Sequence, residues 1–149
     1  MQGALYEPTT VGLHGLFLMN FKGGQDVAIV GVGTIGLLTL QCAKALGARR
    51  IIAFDLDEEK LAVAQDYGAD LCINTGKNNF RDVIAAVGNN RGFPIVVETA
   101  GVEFTEVLSL EIAANKGSVL YIGTPSKNVT LTPKQFEYIN RKELTVLGS

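Results

Sequence analysis

The chain has 149 residues, 47% of them hydrophobic and 19% charged, with a net charge of −2. That profile belongs to one soluble globular domain, which would bury roughly two-thirds of its unfolded surface. Its 13 Lys and Arg residues are scattered, which argues against an electrostatic platform for nucleic acid.

Taken in chain order, the first apolar segment is Val11–Phe21. It has no basic flank before it and is too short to span a bilayer, so it reads as a buried helix of a cytoplasmic, non-membrane protein. His14, the only histidine, reads as a packed or capping residue within it. Val27–Val30 is a strand-like run, followed by Gly31-Val32-Gly33-Thr34-Ile35-Gly36. Thr34–Leu46 then predicts a helix with Ile35, Leu38, Cys42 and Leu46 on one face, stopped by Gly47. Ile51–Phe54 predicts a second strand, ending in Asp55. Asp57 introduces a helix over Glu58–Tyr67 as its N-cap, and Gly68 closes it.

Leu71–Asn74 predicts a third strand, and Phe80, Val83, Ile84 and Val87 mark a helix ahead of Gly88. Ile95–Glu98 predicts a fourth strand. Phe104, Leu108 and Ile112 mark another helix, ended near Asn115 and Gly117, with a fifth strand over Ser118–Ile122. Asn128–Thr132 reads as a short extra strand, Pro133–Asn140 as a helix begun by proline, and Leu144–Leu147 as a last, edge strand. Cys42 and Cys72 lack C-x-x-C spacing and fall inside predicted elements, so both read as buried free thiols.

Strands alternating with helices imply parallel pairing with right-handed crossovers. The expected fold is therefore α/β, a doubly wound six-stranded parallel sheet of the Rossmann type in the order 3-2-1-4-5-6. The unpaired side of Leu144–Leu147 invites pairing with another chain, hence a homodimer. Neither end resembles a finished domain boundary, and the chain reads as a piece of a longer protein.

The G-x-G-x-x-G run is weak evidence alone, since the chain has 17 glycines. Here each glycine falls where a strand–turn–helix unit needs it: Gly31 for the tight turn, Gly33 for close approach of a pyrophosphate, Gly36 for helix–strand packing. Free N–H groups near Thr34 and Ile35 point at the phosphates, and the helix dipole favours their charge. Asp55 follows Gly36 by 19 residues, at a strand end where a carboxylate accepts from ribose hydroxyls and repels a 2′-phosphate, so the expected cofactor is NAD. Arg49 and Arg50 begin the strand that Asp55 ends, about 16 Å away at roughly 3.3 Å per residue, and read as solvated surface charges. Thr99-Ala100-Gly101 and Ile122-Gly123-Thr124 follow the fourth and fifth strands, at the same sheet edge as the glycine loop, and backbone contacts to the cofactor are expected there. Gly148 and Ser149 approach a third such position.

Four blocks together carry a family resemblance: Glu7-Pro8-Thr9-Thr10-Val11-Gly12-Leu13-His14, GVGTIGLLTLQCAKALGA, Glu98-Thr99-Ala100-Gly101, and Arg141-Lys142-Glu143-Leu144-Thr145-Val146-Leu147-Gly148-Ser149. They resemble the zinc-dependent medium-chain alcohol dehydrogenases, in particular the polyol branch, over essentially the whole chain. The resemblance implies a coenzyme-binding domain over residues 26–149, preceded in 1–25 by a connecting helix from a catalytic domain outside this chain. It implies hydride transfer between NAD and a secondary alcohol of a polyol or polyol phosphate, of the galactitol 1-phosphate kind. Zn is implied as the second cofactor, with Glu7 as a zinc ligand or zinc-water contact; read without the resemblance, Glu7 is a dipole partner at a helix start. Lys60 matches a basic residue near the adenosine, or is simply an exposed helix lysine. Thr99, Gly101, Ile122, Gly123 and Thr124 match segments lining the ribose and nicotinamide. No catalytic residue is expected in this chain.

A stand-alone NAD-sensing Rossmann module is the rival reading. It would share the glycine loop and Asp55 but has no use for the EP…VGLHG block. A methyltransferase binding S-adenosylmethionine fits less well, because Gly33 would be wasted and no antiparallel seventh strand is expected.

Overall fold

A computed structural model describes residues 6–149; residues 1–5, the start of the connecting segment expected over 1–25, lie outside the described part. The elements are α1 (Tyr6–Leu18), β1 (Asp26–Val30), α2 (Thr34–Ala45), β2 (Arg50–Asp55), α3 (Glu58–Asp66), β3 (Leu71–Asn74), α4 (Phe80–Val87), β4 (Phe93–Glu98), α5 (Glu103–Ile112), β5 (Ala113–Tyr121), α6 (Pro133–Arg141) and β6 (Thr145–Gly148). The strands form one sheet in the order β3-β2-β1-β4-β5-β6, every neighbouring pair parallel, as the alternation of patterns predicts. Among the described residues, no helix is long and apolar enough to cross a membrane.

Both faces of the sheet are covered, which is why the central strands read as continuous apolar runs. Val27, Ile29, Ile51 and Val97 face a core shared with Leu16 and Met19 of the α1 segment, Leu40 of α2 and Leu61 of α3. Ala28, Val30, Ile52, Phe54 and Val96 face the other core, with Ile84 of α4 and Leu108 and Ile112 of α5. Gly47 (φ 84°) and Gly68 (φ 107°) end α2 and α3 in left-handed turns. The following Ala48 and Ala69 amides close each turn on Ala43 and Ala64, so the two predicted glycine stops have a physical basis.

Several expectations are corrected. The apolar Val11–Phe21 segment is not buried all round: Gly12, Gly15 and Leu16 face inward, whereas Phe17 and Leu18 are exposed. The innermost face of α2 is Gly36, Thr39, Leu40 and Ala43, with Ile35, Leu38, Cys42 and Leu46 half-buried. Small residues win that face because α2 meets both sheet and α1 closely; a Cβ on Gly12 would lie 2.5 Å from Thr39 Oγ1.

β5 starts at Ala113, five residues before its predicted start. Asn115, Lys116 and Gly117 resemble a turn in sequence but form an irregularity within the strand, where the register with β4 steps from Phe93↔Ala113 to Ile95↔Ser118. Lys116 takes a left-handed φ of 59° there, and its amide donates to Lys142 O. Asn128–Thr132 is not a strand. The Thr130 amide donates to the exposed Glu103 carboxylate and Leu131 packs on the second core, so this segment is a tether without a ladder partner.

Arg49 and Arg50 are not merely solvated. Both form ion pairs with Asp26, whose side chain is only 5% exposed, clamping the starts of β1 and β2 together. Burial alone would raise the Asp26 carboxyl, but the bonds from Arg50 and Arg49 outweigh it and hold it below the usual aspartate range. Cys42 and Cys72 are free and half-buried, and desolvation raises both thiols.

Candidate functional site

The C-terminal ends of β1, β2, β3 and β4 open onto a cavity of about 570 Å³, lined among others by Gly31, Gly33, Asp55, Lys60 and Thr99. It lies where the strand order reverses between β1 and β4, the position at which open parallel sheets bind ligands.

The three glycines have different physical grounds. Gly31 adopts φ 92°, and a Cβ there would meet Ala100 at 2.9 Å. Gly36 allows α2 to sit on the turn, since its Cβ would fall 2.0 Å from Gly31 O. Gly33 is the N-cap of α2, at φ −71° and ψ −166°. A Cβ on Gly33 would meet no atom within 4 Å. Neither strain nor protein contact demands a glycine at that position; open space toward the cavity is what its missing side chain leaves.

Asp55 ends β2 with its carboxylate tied to the loop. Oδ2 accepts from the Val32 amide at 2.9 Å, and Oδ1 from the Leu56 and Asp57 amides at 2.8 and 3.1 Å. The neighbouring Asp57 caps α3, accepting from the Glu59 and Lys60 amides. The capping role is thus Asp57's, leaving Asp55 at the cavity. Thr99 stitches β4 to the glycine turn by donating its hydroxyl to Gly31 O at 2.7 Å.

Other expected residues lie outside the cavity lining. Thr34, Ile35 and Gly36 form the first turn of α2 behind the loop. Gly101, Gly123 and Thr124 pack backbone on backbone: a Cβ on Gly101 would lie 2.7 Å from Thr124 O, and one on Gly123 would lie 2.3 Å from Gly101 N. Ile122 donates its amide to Glu98 O and packs against the first core. Lining residues that sequence reading passed over include Leu56, Thr75, Val102 and Phe104, whereas Ala100 lies in the turn where backbone contacts were expected. The strand-end rule would have found Leu56 and Thr75 had it been applied to β2 and β3 as it was to β4 and β5. Phe104 carried only a core-helix signal, yet it is 42% exposed.

Glu7 sits in the first turn of α1 and is exposed. His14 is exposed as well, neither packed nor capping. Among the described residues, no group of three His, Cys, Asp or Glu is placed to hold a metal ion. The side chains of this chain therefore do not by themselves fit a zinc centre, which usually takes three protein ligands.

The sheet order, the double helical cover and the glycine turn define a Rossmann-type α/β domain. The model of the zinc-binding dehydrogenase family matches residues 34–149, and the chain belongs to that family. It is 42% identical over 147 residues to galactitol 1-phosphate 5-dehydrogenase of Escherichia coli strain K12, covering 99% of this chain and 42% of that protein. The crystal structure of galactitol-1-phosphate dehydrogenase from Escherichia coli superposes with a TM-score of 0.92 at 41% identity, over 99% of this chain and 42% of that one. A Sinorhizobium meliloti 1021 protein assigned as a zinc-binding dehydrogenase and solved with NADP gives a TM-score of 0.83 at 34% identity, over 95% and 42% of the two chains. The chain thus spans less than half the length of these relatives.

Proposed function

We propose that this chain is the coenzyme-binding part of an NAD-dependent zinc dehydrogenase, which oxidises a secondary alcohol of a polyol or polyol phosphate such as galactitol 1-phosphate. One observation carries the cofactor half of this reading. Gly33 leaves open space beside the N-terminus of α2, in a cavity whose rim holds the Asp55 carboxylate. A diphosphate fits the first feature, because the free amides of an opening helical turn face it and the helix dipole favours its charge. A ribose diol fits the second, because a carboxylate accepts from both hydroxyls.

When bound, the cofactor supplies the hydride acceptor. The chain's own work is to hold it: Gly31 and Gly33 admit the diphosphate, Thr34 and Ile35 present their amides, Asp55 takes the ribose, and Lys60 lies beside it. The Thr99–Gly101 and Ile122–Thr124 turns back the far half. The carboxylate of Asp55 disfavours a 2′-phosphate, which supports NAD over NADP for this chain; a relative solved with NADP means that family membership alone does not decide between the two. Glu7 is assigned as one zinc-contacting carboxylate of the whole protein. The open side of β6, where Val146 is 39% exposed, supports a homodimer formed by continuing the sheet.

Titration calorimetry with NAD and NADP tests the cofactor reading. NAD should bind at least ten-fold more tightly. No binding of either, or tighter binding of NADP, refutes it.

A further inference from the structure

Glu98 ends β4 and is wholly buried, with 0% exposure, yet nothing in the cofactor reading uses it. Its Oε1 accepts three hydrogen bonds: from the Ala100 amide at 2.8 Å, the Gly101 amide at 2.9 Å and the Thr105 hydroxyl at 2.7 Å. Its backbone carbonyl accepts from the Ile122 and Gly123 amides at 2.9 and 3.2 Å. One residue therefore gathers donors from the turn after β4, the first turn of α5 and the turn after β5. Its other oxygen, Oε2, is the one buried side-chain nitrogen or oxygen among the described residues that lacks a hydrogen-bond partner. A Cβ on Gly123 would lie 2.5 Å from it, so the β5 turn can close over this carboxyl only with glycine there.

A carboxyl group buried with half its acceptors idle is costly compared with an apolar side chain of similar size. Its retention calls for a geometric reason, and the hydrogen bonds supply one. Without a side-chain acceptor, the Ala100 and Gly101 amides would turn elsewhere, and Gly101 already sits at a left-handed φ of 65°. The Thr99–Ala100 turn forms the cavity wall across from Asp55 and grips Gly31 through the Thr99 hydroxyl.

We infer that Glu98 is a positioning residue for the cofactor crevice: through Oε1 it fixes the turn after β4, and with it the gap between that turn and the glycine loop. The inference rests on the cofactor reading for its consequence in binding, but not for its effect on the turn.

The test compares Glu98→Ala and Glu98→Gln with the parent in the intact protein, at a temperature where all three are folded by circular dichroism. Glu98→Ala should weaken NAD by about 10-fold or more and speed amide exchange at Ala100 and Gly101 by a similar factor. Glu98→Gln keeps an acceptor at the Oε1 position and should restore both to within about three-fold of the parent. Thr105→Val, which removes one of the three bonds, is the second probe should Glu98→Ala not fold; it should speed exchange at the same two amides. Unchanged exchange at Ala100 and Gly101 in Glu98→Ala or Thr105→Val overturns the inference, as does a Glu98→Gln protein as impaired as Glu98→Ala. If the parent itself binds no NAD, the cofactor reading fails, and the exchange measurements still decide whether Glu98 holds the turn.

Discussion

Gly33→Val separates the ligand's demand on the glycine loop from the fold's demand. The backbone at Gly33 is in the extended region, with φ −71° and ψ −166°, which a β-branched residue accepts. No protein atom lies within 4 Å of the new Cβ. Exchanging glycine for valine at an N-cap costs up to about 1 kcal/mol, and the stiffer unfolded chain offsets about 0.4–1 kcal/mol of it. Net stability should stay within about 1 kcal/mol, a melting shift of no more than about 2–4 °C for a chain this long. Binding is affected far more. In the proposed cradle, the valine methyl groups would fill the space through which the diphosphate reaches the amides of α2. Losing two charge-assisted bonds at about 1.5–3 kcal/mol each weakens NAD by about 10²- to 10⁴-fold. Calorimetry and a thermal melt on the same preparation read both effects. A Gly33→Val protein that melts normally and binds NAD within about three-fold of the parent refutes the phosphate cradle. One that unfolds refutes the description of the loop as open.

Gly36→Ala should do the reverse, because its Cβ would fall 2.0 Å from Gly31 O; over-packing of about 3 kcal/mol would lower the melting temperature by about 6–12 °C, and an unshifted melt would contradict the close packing of α2 on the turn. Asp55→Ala should weaken NAD by about 10- to 100-fold and narrow the preference over NADP, since the same change frees the Val32 amide and removes the charge facing a 2′-phosphate; an unchanged NAD affinity in calorimetry takes Asp55 out of the site. Asp26 carries a carboxyl held below its ordinary value by Arg50 and Arg49 against the upward pull of burial. A depressed carboxylate stabilises the fold above the unfolded value and loses that contribution as pH falls through the folded one. Denaturant midpoints should therefore drop below about pH 4, and Asp26→Asn should lower the midpoint near neutrality while flattening the acid limb; parallel curves for the two proteins would show that the ion pairs contribute nothing.

Local pattern was enough to read much of this molecule. The parallel pairing of the six strands follows from alternating elements and one-handed crossovers, and the glycine stops of α2 and α3 are local chemistry. Gly31, Gly36 and Asp57 declare themselves because the turn, the close packing and the cap they provide are set within a few residues of each. Three-dimensional contact decided the rest. Nothing near Glu98 in sequence announces that it gathers amides from two turns, because its partners Ile122 and Gly123 belong to the turn after the next strand. Arg49 and Arg50 look solvated until β1 brings Asp26 alongside, and Asn115–Gly117 looks like a turn until β4 and Lys142 absorb it into a strand. Phe104 passes for core until α5 is docked with that ring at the cavity. Short-range propensity encodes which elements form and where the backbone must bend, whereas the pairing of a buried polar group depends on whatever the fold sets beside it.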